Sequence, residues 1–306
     1  MDFHSLQPFT IEQADLYTKY FSQSNTRIAD ACPNSRFAWN IGYNYRYLIL
    51  EDCFCLVSDG GIFTEPHFSL PLGELTAAKL SNIINQLEKI FKQNNWQLTG
   101  MFIDEEYTDL FNELEGYEIN LEFDSAYSDY IYNTADLANL KGKGYRAKRN
   151  HVNRFIRDYP DFTYKPLEKS DQEKAVELVR TWCQDKEVDC KDPLVSDCSP
   201  INTLFSYWEQ LNISGGAIYY NEDLIAFSMG SIINQGKEGV IHFEKAHPNY
   251  EGLYAVINQF SVLNAFEETE LINREEDMGD EGMRISKESY LPIESLKKYK
   301  VTLQKK

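Results

Sequence analysis

The order of hydrophobic patterns between Asp161 and Tyr290 is the feature that most constrains the fold of this chain. Alternating or continuous apolar runs predict strands, and apolar residues spaced three and four apart predict helices. Along the chain these patterns predict a strand, two helices, three strands, a helix, a strand and a short helix. Short polar turns separate the three middle strands, as expected for antiparallel neighbours. The order therefore predicts a mixed, mostly antiparallel sheet flanked by helices.

The first part of the chain shows a similar plan. A helical stretch at 11–23 is followed by three strand-like runs, a long amphipathic helix and a further strand. A chain of 306 residues is long enough for two domains of about 150 residues each. We therefore predict an α/β (α+β) protein with two tandem domains. The predicted ranges are 1–135 for the N-terminal domain, 136–160 for a basic amphipathic connecting helix, and 161–306 for a C-terminal domain with the active-site cleft.

One basic segment stands out in an acidic chain. The net charge of −18 argues against nucleic-acid binding by the whole surface. From Lys141 to Arg157, however, the sequence has seven basic residues and no acidic one. At about 100° per residue, one stripe of a helix contains Arg146, Arg149, Asn150, Asn153 and Arg157. Such a stripe either pairs with acidic neighbours or binds the phosphates of a cofactor or an RNA.

Targeting signals and cysteine spacings indicate where the protein is located and whether it binds a metal or forms disulfides. No apolar run approaches the roughly 18–20 residues that span a bilayer, and the first residues lack a secretory signal. We therefore expect a cytoplasmic protein without a transmembrane segment. The cysteines are Cys32, Cys53, Cys55, Cys183, Cys190 and Cys198. Their spacings fit no common zinc pattern, so we predict reduced, mostly buried thiols with no metal and no disulfide.

Three segments resemble a known family. They are DYIYNTADLANLKGKGYRAKRNHVNRF (129–155), HFEKAHPNYEGLYAVIN (242–258) and INREEDMGDEGMRISKESYLP (272–292). Together they resemble an uncharacterised bacterial family related to the C-terminal domain of phosphatidylglycerol lysyltransferase. The resemblance covers nearly the whole chain and implies two tandem GNAT-like domains with the acyl-CoA N-acyltransferase fold, whose element order agrees with the predicted one. It also implies transfer of an acyl or aminoacyl group to an amine, lipid or peptide acceptor.

The turn before the helix at 254–268 bears on the donor. GNAT enzymes have a glycine-rich turn at this point, where backbone N–H groups bind the pyrophosphate of coenzyme A. Here Gly252 is the one glycine left, and Asn249 stands where an Arg or Gln is usual. The departure favours aminoacyl-tRNA over acyl-CoA as donor substrate, with no tightly bound cofactor. A tRNA is thus a possible partner, beside a small-molecule, lipid or peptide acceptor.

The predicted cleft lies between two predicted strands, HFEKA (242–246) and LINREE (271–276). Alternation places His242 and Glu244 on one face of HFEKA, and Glu244 is predicted as the general base or amine anchor. Tyr290 resembles the tyrosines that protonate leaving groups in GNAT enzymes, and Asp277 completes the predicted catalytic set. The predicted substrate-binding residues are His242, Asn249, Gly252, Asn258, Asn273, Arg274, Glu275, Arg284 and Lys287.

Two alternatives stay open. Glu244 is also typical of a surface carboxylate paired with Lys245 or a neighbouring strand, and the polar residues between 273 and 290 are equally typical of a structural ion-pair network. A non-catalytic GNAT-fold protein that binds an anionic ligand or RNA is the alternative to an enzyme. Glu244 and Tyr290 converging on an open cleft would favour the enzyme, whereas a cleft filled by side chains would favour the binding protein.

Overall fold

The computed structural model describes residues 2–192 and 196–306. The chain divides into two compact units. The first unit comprises Met1–Ser128 together with Leu296–Lys306, and the second comprises Asp129–Ser295. Each unit has one seven-stranded sheet with helices packed on it. The predicted fold class, α/β with two mostly antiparallel sheets flanked by helices, is confirmed.

The described residues of the first unit form seven strands and four α-helices. The strands are β1 (Gln7–Pro8), β2 (Tyr45–Leu50), β3 (Cys53–Ser58), β4 (His67–Ser69), β5 (Thr99–Asp104), β6 (Tyr117–Phe123) and β14 (Lys298–Lys305). The helices are α1 (Ala14–Ser22), α2 (Pro33–Tyr43), α3 (Ala77–Gln93) and α4 (Thr108–Asn112). The sheet order is β1-β2-β3-β4-β5-β14-β6. Its neighbours are antiparallel except for the parallel pair β4–β5.

The long helix α3 shows why this unit folds as its sequence predicts. The Thr76 hydroxyl accepts a hydrogen bond from the Lys79 backbone N–H, which satisfies one of the free N–H groups at the helix start. The apolar residues at helical spacing are buried in the core of the unit: Leu80, Ile83, Ile84, Leu87 and Phe91. They pack with residues of β3 and β5, so one helix covers the middle of the sheet.

The second unit contains seven strands and six α-helices among its described residues. The strands are β7 (Asp129–Asn133), β8 (Thr163–Pro166), β9 (Ser214–Tyr220), β10 (Asp223–Ile233), β11 (Glu238–Ala246), β12 (Leu271–Asn273) and β13 (Glu294–Leu296). The helices are α5 (Thr134–Asn139), α6 (Arg146–Asp158), α7 (Gln172–Asp185), α8 (Cys198–Ser206), α9 (Leu253–Ala265) and α10 (Glu281–Glu288). The sheet order is β13-β7-β12-β11-β10-β9-β8. From β8 to α10, the element order agrees with the sequence-based expectation. No helix in the described ranges is long and apolar enough to cross a membrane.

The units differ in three places from the predicted ranges 1–135, 136–160 and 161–306. Strand β7 belongs to the second unit, because it pairs with β12. Helix α6 lies within the second unit, because its buried residues Val152 and Phe155 belong to that unit's core. Strand β14 belongs to the first unit, because it pairs with β5 on one side and β6 on the other. Core packing and strand pairing thus decide membership, and neither follows chain order here.

Candidate functional site

The parallel strands β11 and β12 separate at the centre of the second unit. They pair only over Glu238–Val240 and Leu271–Asn273. Beyond Asn273, the Arg274 backbone N–H donates to the carbonyl of Tyr130 in β7 at 3.0 Å, while β11 continues to Ala246. Past this point, side chains instead of backbone hydrogen bonds lie between the end of β11 and the residues that follow β12.

A buried ion pair lies in this separation. One Arg274 guanidinium nitrogen is 2.6 Å from a Glu244 carboxylate oxygen, and the two side chains are 12% and 9% exposed. The Asn258 amide donates to the other Glu244 oxygen at 3.0 Å. The guanidinium also lies 4.7 Å from the centre of the Tyr290 ring. Glu244 and Tyr290 thus converge through the side chain of Arg274, and Arg274 occupies the space where an open cleft was expected.

Three buried polar atoms of this cluster lack a hydrogen-bond partner within the described ranges. They are Nε and Nη1 of Arg274 and Oδ1 of Asn258. Leaving such atoms unpaired is costly, so they mark a place where a ligand or water would be stabilised. Burial raises the pKa of Tyr290 to about 12, so its hydroxyl stays protonated at neutral pH. The Lys148 ammonium lies 4.1 Å from the same ring, and burial lowers its pKa.

A cavity of about 370 Å³ opens at the carboxyl end of β11. Its lining residues are Trp182, Asp185, Lys186, Ala246, His247, Pro248, Tyr250, Glu251, Gly252 and Tyr254. Of the predicted site residues, Gly252 alone belongs to this lining, while Asn249 lies exposed in the same loop. The wall formed by α7 was missed, because nothing in that helix's apolar spacing links it to the distant β11.

Gly252 lets α9 begin directly beside α6. It precedes the first residue of α9 with a φ of 82°, in the left-handed region that favours glycine. A Cβ atom at this position would lie 2.9 Å from the His151 carbonyl oxygen. The basic helix α6 therefore passes along the rim of the cavity, where Arg154 also contacts Glu251 at 2.5 Å.

Replacing Gly252 by alanine should lower the free energy of unfolding by about 2–4 kcal/mol, from backbone strain and the steric overlap with α6. Gly142→Ala is the matched control, because Gly142 has a φ of 92° and no atom within 4 Å of an added Cβ. We expect the control to cost only about 1 kcal/mol. Denaturant unfolding of both variants measures the difference, and equal costs would contradict a tight contact between Gly252 and α6.

Asp277 is engaged by a structural network. Its carboxylate accepts from the Arg284 guanidinium at 2.9 and 3.1 Å, from the Tyr130 hydroxyl at 2.7 Å and from the Gly279 backbone N–H at 2.8 Å. The hydrogen bonds from Arg284 hold the pKa of Asp277 well below its usual range. These contacts agree with the structural ion-pair interpretation of Asp277 and Arg284, whereas their predicted catalytic and substrate-binding roles stay predictions.

The Asp277 network should make stability fall in acid. Because its pKa is lowered in the folded state, the stabilisation is complete above the unfolded value of about 3.9 and is lost as the pH falls below it. Asp277→Asn should cost about 2 kcal/mol at pH 7 and progressively less as the pH falls toward 2. Unfolding curves from pH 7 to 2 test this, and a cost independent of pH would contradict it.

The remaining predicted residues of this region hold the backbone around Arg274. His242 Nδ1 lies 2.7 Å from a Glu275 oxygen, and the Asn273 amide donates to Asp129 at 3.1 Å. The Lys287 ammonium donates to the carbonyls of three consecutive residues, 274 to 276. Burial lowers the pKa of Lys287 to about 8. Lys287 is thus bonded to the backbone in this structure, and its predicted role in binding phosphate or carboxylate stays a prediction.

The predicted basic stripe divides into paired and unpaired residues. Arg149 donates to the carbonyls of Leu140 and Gly142, and Arg157 pairs with Asp158 at 2.9 Å. Asn150 and Asn153 are exposed. Arg146, the remaining residue of the stripe, is exposed and has no ion-pair partner among the described residues. The same is true of two lysines that precede it, Lys141 and Lys143. We call these three residues the basic island.

The cysteines depart from the prediction. Cys190 and Cys198 form a disulfide, with Cα atoms 6.1 Å apart, so the expectation of no disulfide is wrong. The fold brings the two residues within disulfide range, which their spacing in the sequence could not show. Cys183 lies beside them as a thiol outside the disulfide, and Cys32, Cys53 and Cys55 are buried thiols outside it, as expected.

Comparison with known proteins supplies the family. The family described as "Phosphatidylglycerol lysyltransferase, C-terminal" matches residues 35–302. A curated relative, the uncharacterised protein MYCGA3080 of Mycoplasmoides gallisepticum, is 27% identical over 188 residues. That match covers 60% of this chain and 59% of the relative's length, so the chain spans less than two thirds of it.

Solved structures show the same fold. A conserved protein of unknown function from Bacteroides thetaiotaomicron is 27% identical, with a TM-score of 0.89 and coverage of 98% of this chain and 99% of that one. The C-terminal domain of a putative lysylphosphatidylglycerol synthetase from Agrobacterium fabrum is 13% identical, with a TM-score of 0.69 over 95% and 92%. A tandem GNAT protein from the clavulanic acid pathway is 8% identical, with a TM-score of 0.51 over 97% and 97%. The tandem GNAT-like architecture is thereby confirmed.

Proposed function

The chain belongs to the family of phosphatidylglycerol lysyltransferase C-terminal domains, and on that basis we propose that it transfers an aminoacyl group from an aminoacyl-tRNA to a lipid, amine or peptide acceptor. The observation that supports this most is the cavity at the end of β11, with α6 on its rim; the unpaired Arg274 donors lie against Glu244, earlier in the same strand. The proposal has three parts, which concern the aminoacyl group, the phosphates of the donor and the chemical step.

The lining of the cavity suits an aminoacyl group better than the pyrophosphate of coenzyme A. Its volume of about 370 Å³ lies within the range of small-molecule sites. Aromatic rings of Trp182, Tyr250 and Tyr254 face it together with the carboxylates of Asp185 and Glu251. Aromatic rings attract an ammonium group. Asp185 pairs with Lys186 and Glu251 pairs with Arg154, so these groups leave no excess of positive charge that would favour pyrophosphate. An aminoacyl ester carries such an ammonium group, and this favours aminoacyl-tRNA over acyl-CoA as donor.

The basic island gives the donor's phosphates a place to bind. It ends at Arg146, the first residue of α6, whose later residues His151 and Arg154 contact the cavity rim. At 1.5 Å per residue, Arg146 and Arg154 are about 12 Å apart along the helix. A tRNA acceptor end whose terminal ribose lies at the cavity could therefore place nearby phosphates against the island.

The chemical step is an acyl exchange. The acceptor's hydroxyl or amine attacks the ester carbonyl, the bond to the tRNA ribose oxygen breaks, and the acceptor's proton moves to that oxygen. Nε and Nη1 of Arg274 would stabilise the negative charge that develops on the carbonyl oxygen. Tyr290, protonated at neutral pH, would relay this proton: it gives its own to the leaving oxygen and takes up the acceptor's in return. Glu244 would position Arg274, since its two carboxylate oxygens already accept from Arg274 and Asn258.

The same ion pair favours a second candidate function. Glu244 is neutralised by Arg274, and the described cluster offers no other free carboxylate at that point. A non-catalytic protein that binds an anionic ligand or RNA through the basic island is therefore the alternative. It requires binding without turnover.

The test is a transfer assay with tRNA charged with radiolabelled lysine. Acceptors are vesicles that contain phosphatidylglycerol and, separately, a primary-amine peptide. We expect the label to enter an acceptor with the wild-type chain, and we expect Arg274→Lys, which keeps the charge but loses the fork of donors, to reduce transfer at least a hundredfold. Lys89→Gln, an exposed residue of α3, is the control and should have no effect. Binding of the charged tRNA without transfer to either acceptor would favour the binding protein.

A further inference from the structure

Three cysteine sulfurs lie together at the end of α7. Those of Cys183, Cys190 and Cys198 are all within 4.8 Å of one another, and the last two form the disulfide. The Ser196 hydroxyl lies 3.5 Å from the Cys183 sulfur and 3.8 Å from the Cys190 sulfur. A buried free thiol is thus in direct reach of a disulfide.

We propose that these residues form a thiol–disulfide exchange site with Cys183 as the exchanging thiol. Cys183 loses its proton to solvent, and its thiolate attacks the sulfur of Cys190. A Cys183–Cys190 bond forms, the Cys190–Cys198 bond breaks, and the electron pair stays on the Cys198 sulfur, which then takes up a proton. Attack on Cys198 gives the Cys183–Cys198 isomer in the same way. The exchange is neutral in protons and electrons and requires no external oxidant.

The exchange site is coupled to the cavity through α7. Cys183 follows Trp182 and precedes Asp185, and both of these residues line the cavity. On the opposite side, Lys245 of β11 lies 3.8 Å from the centre of the Trp182 ring and 2.7 Å from an Asp197 oxygen, next to Cys198. A change of disulfide partner therefore moves or tightens the wall of the cavity that α7 forms. The shape of the cavity then depends on which two of the three cysteines are bonded.

Two single variants test the pairing. In Cys198→Ser we expect mild oxidation with a small-molecule disulfide to produce a Cys183–Cys190 bond, and in Cys190→Ser a Cys183–Cys198 bond. Each appears in mass spectrometry of non-reduced digests as a cross-linked peptide, with the loss of two alkylatable thiols per chain. Cys53 and Cys55 are internal controls. Because burial raises the pKa of both thiols, they should not react with the oxidant in the folded protein, and they should still be alkylated after unfolding.

Further controls separate exchange from misfolding. Cys183→Ser should keep only the Cys190–Cys198 bond, and circular dichroism establishes that each variant is folded. Hydrogen exchange over 182–186 should differ between the wild-type disulfide and the Cys183–Cys190 isomer, while the middle of α9 should not change. Folded variants that form only mixed or intermolecular disulfides would overturn the proposed site. Unchanged hydrogen exchange over 182–186 would overturn its coupling to the cavity.

Discussion

Replacing Glu244 by leucine should lower the free energy of unfolding by about 3–5 kcal/mol. The change leaves the buried Arg274 guanidinium without its counter-ion, and an unpaired buried charge is far more costly than a missing apolar contact. Urea or guanidinium unfolding of wild type and variant gives the difference directly.

The double variant Glu244→Leu with Arg274→Met separates charge from packing. We expect it to recover most of the loss, because it removes both partners and leaves apolar side chains of similar size. Glu177→Leu is the matched control, since Glu177 pairs with Arg180 on the surface at 68% and 59% exposure and should cost less than about 1 kcal/mol. A double variant as unstable as Glu244→Leu alone would mean that Glu244 stabilises the unit by packing, and that the ion pair is incidental.

Replacing Lys141, Lys143 and Arg146 together by glutamine should weaken tRNA binding by about 10- to 100-fold at low salt. Binding to phosphates releases counterions, so the slope of log affinity against log salt reports the number of contacts. Loss of three contacts should make the slope shallower by about 2–3. The fold should be unaffected, because these side chains are exposed and have no ion-pair partner within the described ranges.

The control for this triple variant has the same change in net charge. Lys19, Lys89 and Lys92 are exposed residues of the first unit, and replacing all three by glutamine should leave the salt slope nearly unchanged. Arg149→Gln is a second comparison, because Arg149 is bonded to backbone carbonyls and should affect stability more than the slope. Equal effects of both triple variants would show that tRNA responds to net charge and not to the basic island.

The fold was predictable where one face of an element is apolar and the other polar. The buried residues of α3, from Leu80 to Phe91, repeat at helical spacing, and this spacing follows from burial on a single face. Helix α2 lacks such a pattern, because Asn34, Ser35 and Arg36 are buried as well as Phe37. Buried polar residues remove the contrast between the two faces, so the sequence of α2 carries no helical pattern that predicts it.

The site was predictable only in part, for a similar reason. Glu244, Arg274 and Tyr290 were all selected from sequence, and the structure brings them together. Their mutual pairing could not be predicted, because it depends on the separation of β11 from β12. The cavity wall at Trp182 and the disulfide of Cys190 also depend on how α7 packs, which no local pattern specifies.

Strand β14 has a consequence for synthesis of the chain. It lies between β5 and β6, and within the described part of that sheet β14 is the one strand with which β6 pairs. Because β14 follows the whole second unit in sequence, residues 1–128 leave the ribosome with two open strand edges in the interior of their sheet. Such edges promote aggregation until they are paired. The first unit therefore matures last although it is made first, and its folding waits for the final strand to be translated.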